Sequence, residues 1–183
     1  DQVICNALRW EYKADVAMSA GVRWGTSTLE GDWITMDDVM SQVATTYSET
    51  YVSEMTGEQL MQTLEAVADN LFDPDPYLQS GGDMVRVGGM DYSIAPTKGL
   101  GERITEARLD NGEPIDPKKT YKVAGWATVN RTPEGRLIWD IIRDYILATK
   151  DPGDVLRLPK VNHPKVIGMS DNPGIADYPG SVA

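Results

Sequence analysis

Between residues 1 and 150 short strand-like runs alternate with amphipathic helical ones, and from Asp151 onward prolines recur every few residues. Val3, Ile4, Ala7, Leu8 and Tyr12 fall at helical spacing and predict an amphipathic helix that opens the chain. Residues 14–20 predict a short buried strand. Thr35 with Asp38 three residues on has the form of a capping box, predicting a short helix through Val39, Met40 and Val43. Thr56 and Gln59 repeat the device ahead of Leu60, Leu64, Val67, Ala68 and Leu71, and this helix must end before Asp73-Pro74-Asp75-Pro76. Residues 85–95 read as a strand broken at Gly88-Gly89 by a bulge or a close backbone approach. Residues 104–109 and 121–127 read as strands with Asn111-Gly112 between them as a turn signal, and Leu137, Ile138, Ile141, Ile142 and Tyr145 predict a last helix. The interleaving predicts one mixed α/β (α+β) domain over residues 1–150. The Pro-Gly-rich segment 151–183 admits neither helix nor central strand and predicts an irregular tail laid on the domain surface.

At 183 residues and 41% hydrophobic, the chain suffices for one well-buried domain with a tail. Its net charge of -11, with no basic stripe to offset it, argues against nucleic acid as a partner. No window approaches the roughly 18 consecutive apolar residues of a membrane span, so a soluble chain is expected. The start, Asp1-Gln2-Val3-Ile4, lacks the basic-then-apolar pattern of a signal peptide, and any targeting segment is expected outside these residues. One cysteine, Cys5, excludes internal disulfides. One histidine, His163, leaves too few ligands for a catalytic transition-metal site, so any metal chemistry is expected to reside elsewhere.

Three segments can carry chemistry. In residues 20–28, Gly21 and Gly25 flank Arg23 at the end of a predicted strand, where α/β folds tend to bind ligands. Arg23 there suits a bidentate grip on an anionic oxygen group; the alternative is a surface arginine paired with one of the many carboxylates. In residues 79–90, two Gly-Gly pairs bracket Asp83 and Arg86, which read equally as a binding loop or as a structural salt bridge beside a bulged strand. A phosphate-binding loop does not fit, because no Lys-Ser or Lys-Thr follows and the segment runs into a strand. In Gly125-Trp126-Ala127-Thr128, Trp126 can wall a pocket or fill the core. Cys5 reads as a small buried hydrophobe, and no Ser-His-Asp arrangement assembles around His163. Residue chemistry alone gives a binding domain without an evident catalytic centre.

The order of Asn6-Ala7-Leu8-Arg9, Ala20-Gly21-Val22-Arg23, Ile34-Thr35-Met36-Asp37-Asp38-Val39, Glu54-Met55-Thr56-Gly57-Glu58-Gln59-Leu60 and residues 115–124 resembles the C-terminal domain of the 5'-nucleotidase family, over about residues 1–150. Longer runs at 22–26, 49–52, 67–72, 81–89 and 122–128, with Asn162-His163-Pro164-Lys165 and Asn172-Pro173-Gly174 in the tail, resemble its SoxB-type sulfur-oxidising branch. The resemblance implies layered mixed sheets with interleaved helices. It also implies a preceding metallophosphoesterase domain that holds two manganese ions, with this domain closing over it. The implied setting is the periplasm, and the implied substrate is a thiosulfate-derived group on the C-terminal cysteine of the carrier SoxYZ. No catalytic or metal-ligating residue is expected in this chain. Substrate-binding roles fall to Arg23, Trp24, Asp83, Arg86, Gly88, Gly89, Trp126 and Thr128. The base-stacking aromatics of nucleotidases are absent: Asp83 and Arg86 fall at the first position with Val87 and Gly88 in its neighbourhood, Thr128 replaces the second, and the family's Gly-Gly-Asp-Gly run reads Thr132-Pro133-Glu134-Gly135. A narrow groove for a glycine-rich peptide is the implied consequence. Two alternatives stay open: the domain of a nucleotidase-type phosphohydrolase, and a non-catalytic module that docks a protein on a Trp-rich face.

Overall fold

The structure is a computed structural model that describes residues 1–21, 27–43, 47–80, 82–128 and 135–169. The opening helical pattern forms α1 (Gln2–Tyr12), which buries Ile4, Cys5, Ala7 and Leu8. Lys13 closes it in a left-handed conformation, φ 48°, and the chain turns directly into β1 (Val16–Ser19), buried along its whole length. Both predicted capping boxes are present. Thr35 and Asp38 exchange hydrogen bonds at the start of α2 (Met36–Gln42), and Thr56 and Gln59 do so at the start of α3 (Gly57–Phe72). Each box satisfies two amide donors that a helix start leaves open. α4 (Ile138–Thr149) buries Ile138, Ile141, Ile142 and Tyr145 on one stripe.

A four-stranded sheet runs in the order β2 (Thr50–Thr56), β6 (Thr120–Trp126), β1, β3 (Arg86–Gly88). β1 and β6 are parallel, and the outer strands are antiparallel to their neighbours. A smaller sheet places β4 (Met90–Ile94) between β5 (Ile104–Leu109), antiparallel, and β7 (Lys165–Val166), parallel. Successive side chains of a strand face opposite ways, so the central strands feed two cores. Ala17, Ala124 and Trp126 join Leu8, Ile138 and Ile141 on the face covered by α1, α2 and α4. Val16, Met18 and Val123 join Leu60, Leu64, Met90 and Tyr92 on the face covered by α3 and the second sheet. This is the mixed α/β fold expected from the sequence.

Two local expectations change and a third becomes specific. β2 has no counterpart in the sequence reading; its exposure alternates only weakly, and Thr50-Tyr51-Val52-Ser53 carries mixed polar and apolar side chains. Asn111-Gly112 turns the chain back onto residues 113–115, not onto β6: Leu109 N–H donates to Glu113 O at 2.8 Å and Ile115 N–H to Ala107 O at 3.0 Å. β5 and β6 therefore belong to different sheets. The Gly88-Gly89 break is the passage from β3 in one sheet to β4 in the other.

Residues 160–167 cross from one part of the fold to another. Lys160 Nζ donates to Asp91 at 2.6 Å and to Asp110 at 2.8 Å. Asn162 binds both carboxylates, accepts from Gly89 N–H at 3.1 Å, and pairs with the side chain of Gln2. Burial alone would raise the Asp110 carboxyl, but hydrogen bonds from Lys160 and Asn162 and the charges of Lys160 and Arg9 outweigh it and hold the group below the usual carboxylate range. A carboxyl depressed in the folded state stabilises the fold above its unfolded value, about 3.9, and loses that contribution as pH falls through the folded value. The stability difference between the unaltered chain and Asp110→Asn is therefore expected to be full at pH 6 and to shrink towards pH 2 in urea titrations; a difference that grows on acidification contradicts this.

Candidate functional site

Because β1 and β6 are parallel, their C-terminal ends lie at one edge of the sheet, and antiparallel β3 begins there too. Ser19 stands opposite Arg86, and Met18 opposite Gly125. Residues 20–21, 82–86 and 126–128 thus converge, at the kind of strand ends where open α/β sheets bind ligands. No local signal in the sequence places these segments together; the strand register does so.

Gly21 marks the start of the loop. A Cβ built on it would stand 2.6 Å from Asp83 Oδ2 and 3.6 Å from Arg86 Nη2, so the Asp83 carboxylate rests on glycine backbone. Arg86 is held on three sides: Nε donates to Asp1 Oδ2 at 2.8 Å, Nη1 to Met84 O at 2.7 Å, and Nη2 lies 3.7 Å from Asp83 Oδ2. Its guanidinium is half-buried and already engaged. Ser19 and Asp1, neither of them singled out in the sequence, complete this edge. Ser19 is buried and accepts the Trp126 indole N–H at 2.7 Å, tying the ends of β1 and β6 together.

Trp126, considered as a pocket wall, is 3% exposed and belongs to the core; an indole donor this deeply buried needs a partner, and Ser19 supplies it. Ala127 leaves β6 in a left-handed conformation, φ 59°, and half-buried Thr128 follows. The room left by the missing side chains of Gly88 and Gly89 is taken by the protein itself: a Cβ on Gly88 would lie 2.6 Å from Cys5 Cβ, and one on Gly89, φ +84°, would collide with Asp15 O. Arg23 and Trp24 lie outside the described residues. Cys5 is buried, and that burial pushes its thiol up to about 12, which keeps it protonated and unreactive near neutral pH. His163 is exposed on the tail segment.

Among the described residues no three His, Cys, Asp or Glu side chains come together as a metal site. The described residues do not fit a manganese pair. A cavity of about 380 Å³ lies between α1 and residues 159–162, and a groove of about 900 Å³, lined in part by Asp1, lies between α4, the start of α1 and residues 28–34. Trp10 lines the first and Trp33 the second, so these two exposed tryptophans open onto different hollows.

The family profile of the 5'-nucleotidase C-terminal domain matches residues 1–137, and the chain belongs to that family. Within it, the chain is similar to the sulfate thiohydrolase SoxB of Thermus thermophilus: 32% identity, TM-score 0.79, over 92% of this chain and 32% of that one. The 5'-nucleotidase precursor of Thermus thermophilus (16% identity, TM-score 0.68, 92% of this chain and 35% of that one) and the NAD nucleotidase of Haemophilus influenzae (18%, 0.51, 80% and 24%) share the fold. The chain spans about a third or less of the length of these proteins. Comparison with curated protein sequences gives no match.

Proposed function

We propose that this chain is the substrate- and carrier-binding domain of a SoxB-like thiosulfohydrolase acting in the periplasm. The whole enzyme hydrolyses a cysteine S-thiosulfonate on the carrier SoxYZ: one water is consumed, the terminal S–S bond breaks, the sulfonate leaves as sulfate, and the carrier keeps a persulfide. Two manganese ions belong to the preceding metallophosphoesterase domain and supply the activation of water. The role of the present residues is to bind and orient. Arg23, four residues past the end of β1 in sequence, grips the anionic sulfonate, and the strand edge at Gly21, Asp83 and Thr128 receives the carrier tail.

The observation that carries this reading is the 32% identity to SoxB over 92% of the chain, an extent that runs past residue 137, where the family profile ends. The strand edge supports it. Where nucleotidases are expected to stack a base the chain carries Asp83 and Arg86 and no aromatic, and beside them Val87 is buried and Gly88 abuts Cys5.

Manganese content and sulfate release test the proposal, measured on this chain and on the chain joined to its metallophosphoesterase half. The chain alone is expected to bind negligible manganese and release nothing, and the joined protein to release sulfate from the thiosulfonate carrier. Stoichiometric manganese in the chain alone contradicts the division of labour, and hydrolysis of nucleoside monophosphates in place of the carrier substrate contradicts the assignment.

A further inference from the structure

The groove between α4, the start of α1 and residues 28–34 is mainly apolar. Its buried lining includes Ile4, Val39 and Ile142, and its exposed lining includes Leu29, Trp33, Ile34 and Leu147. Trp33 is 77% exposed, yet hydrogen-bonded turns fix the backbone on both sides of it. Before it, Asp32 N–H donates to Leu29 O at 3.1 Å and Leu29 N–H to Asp32 Oδ2 at 2.9 Å; after it, the Thr35–Asp38 capping box begins α2. A tryptophan held out to solvent beside an apolar trough is the kind of preorganised anchor on which protein interfaces are built.

The charge around the groove selects what covers it. The two cationic side chains that line it are engaged within the chain: Lys150 is paired with Asp154, and Arg157 Nε lies 3.1 Å from Asp151 Oδ2. Asp1 is paired with Arg86. Glu30, Asp32 and Asp38 remain, and among the described residues none of the three is in an ion pair. Carboxylates beside an exposed indole face complement cations carried next to apolar side chains. The same charges disfavour other occupants. A second copy would bring the same acids to a chain of net charge -11, an anionic lipid surface would be repelled, and residues 170–183 offer Asp171 and Asp177 and no base.

We propose that this groove docks a basic amphipathic segment of a partner protein, its apolar side chains in the trough and its lysines or arginines against Trp33, Glu30, Asp32 and Asp38. The inference does not depend on the reaction proposed above.

Calorimetric titration at low salt tests it, with a synthetic peptide of leucine and lysine at helical spacing, about four turns or roughly 14 residues long. The 183-residue chain and the chain joined to its metallophosphoesterase half are both titrated. Saturable binding with Kd below about 100 µM is expected in both, weakening as salt is added, and the same peptide with glutamate in place of lysine is expected not to bind. Trp33→Ala and Glu30→Lys are each expected to weaken binding about tenfold. Glu113→Lys, the same charge reversal at an exposed position outside the groove, is expected to change it by less than about twofold.

Absence of saturable binding overturns the proposal. Equal weakening by the two charge reversals overturns it by making net charge the whole effect, and so does unchanged binding in Trp33→Ala. Binding to the chain alone that is lost in the joined protein makes the groove the seat of the other half. A dimer of the unaltered chain in analytical ultracentrifugation that Trp33→Ala dissolves assigns the groove to a second copy; either result overturns the proposal.

Discussion

Arg103→Ala is expected to lower the stability of the fold by about 3–5 kcal/mol, the usual cost of removing one partner from a buried ion pair. Arg103 is 2% exposed, the largest fully buried side chain among the described residues. Its guanidinium is paired with Asp69 on α3 and donates to Pro96 O at 3.2 Å and Phe72 O at 3.0 Å. The backbone here is equally committed: Glu65 accepts from Arg103 N–H at 2.5 Å and from Ile104 N–H at 2.7 Å. Alanine would leave the Asp69 carboxylate and two carbonyls facing a hollow. A domain of ordinary stability, about 5–15 kcal/mol, has little margin for that loss. Urea unfolding midpoints at constant slope check it; a shift worth less than about 1 kcal/mol would show that water reaches these groups and replaces the arginine.

Arg23→Ala in the joined protein is expected to reduce kcat/KM for sulfate release about a hundredfold. A charge-assisted bidentate contact to an anion contributes up to about 3 kcal/mol, and each 1.4 kcal/mol is a factor of ten. Arg23→Lys keeps the charge and loses the fork, so an intermediate loss of about tenfold is expected. Steady-state rates of sulfate release across the three proteins check the order. Equal rates for all three would remove Arg23 from the site, and with it the reason for the glycines on either side.

The parts of this structure that local rules govern are legible in the sequence. α1, α2, α3 and α4 follow from helical spacing, and the two Thr-led capping boxes locate two of their starts. β2 is not legible, because Tyr51-Val52 and Ser53-Glu54 break any polar–apolar alternation and the strand is set by tertiary pairing with β6. The Asn111-Gly112 turn is legible as a turn but not as to its partner, since a turn signal says nothing about which segment returns. The roles of Asp1 and Ser19 arise only from contacts between distant segments, Asp1 with Arg86 and Ser19 with Trp126. Arg103 has no signal at all: in Gly101-Glu102-Arg103 it reads as one more surface charge, and its burial depends on α3 lying across it. The double glycine at 88 and 89 reads as a close approach, and it is one, but it admits helix α1 and Asp15 where the resemblance implies a ligand's backbone.

The central claim is that this domain presents a thiosulfonate-bearing carrier to a hydrolytic centre that lies outside it. The most direct measurement is the ratio of kcat/KM values for carrier-bound thiosulfonate and for a nucleoside monophosphate, determined on the chain joined to its metallophosphoesterase half. The account predicts a ratio far above one, with sulfate released and nucleotide hydrolysis near background; efficient nucleotide hydrolysis with no sulfate release would contradict it.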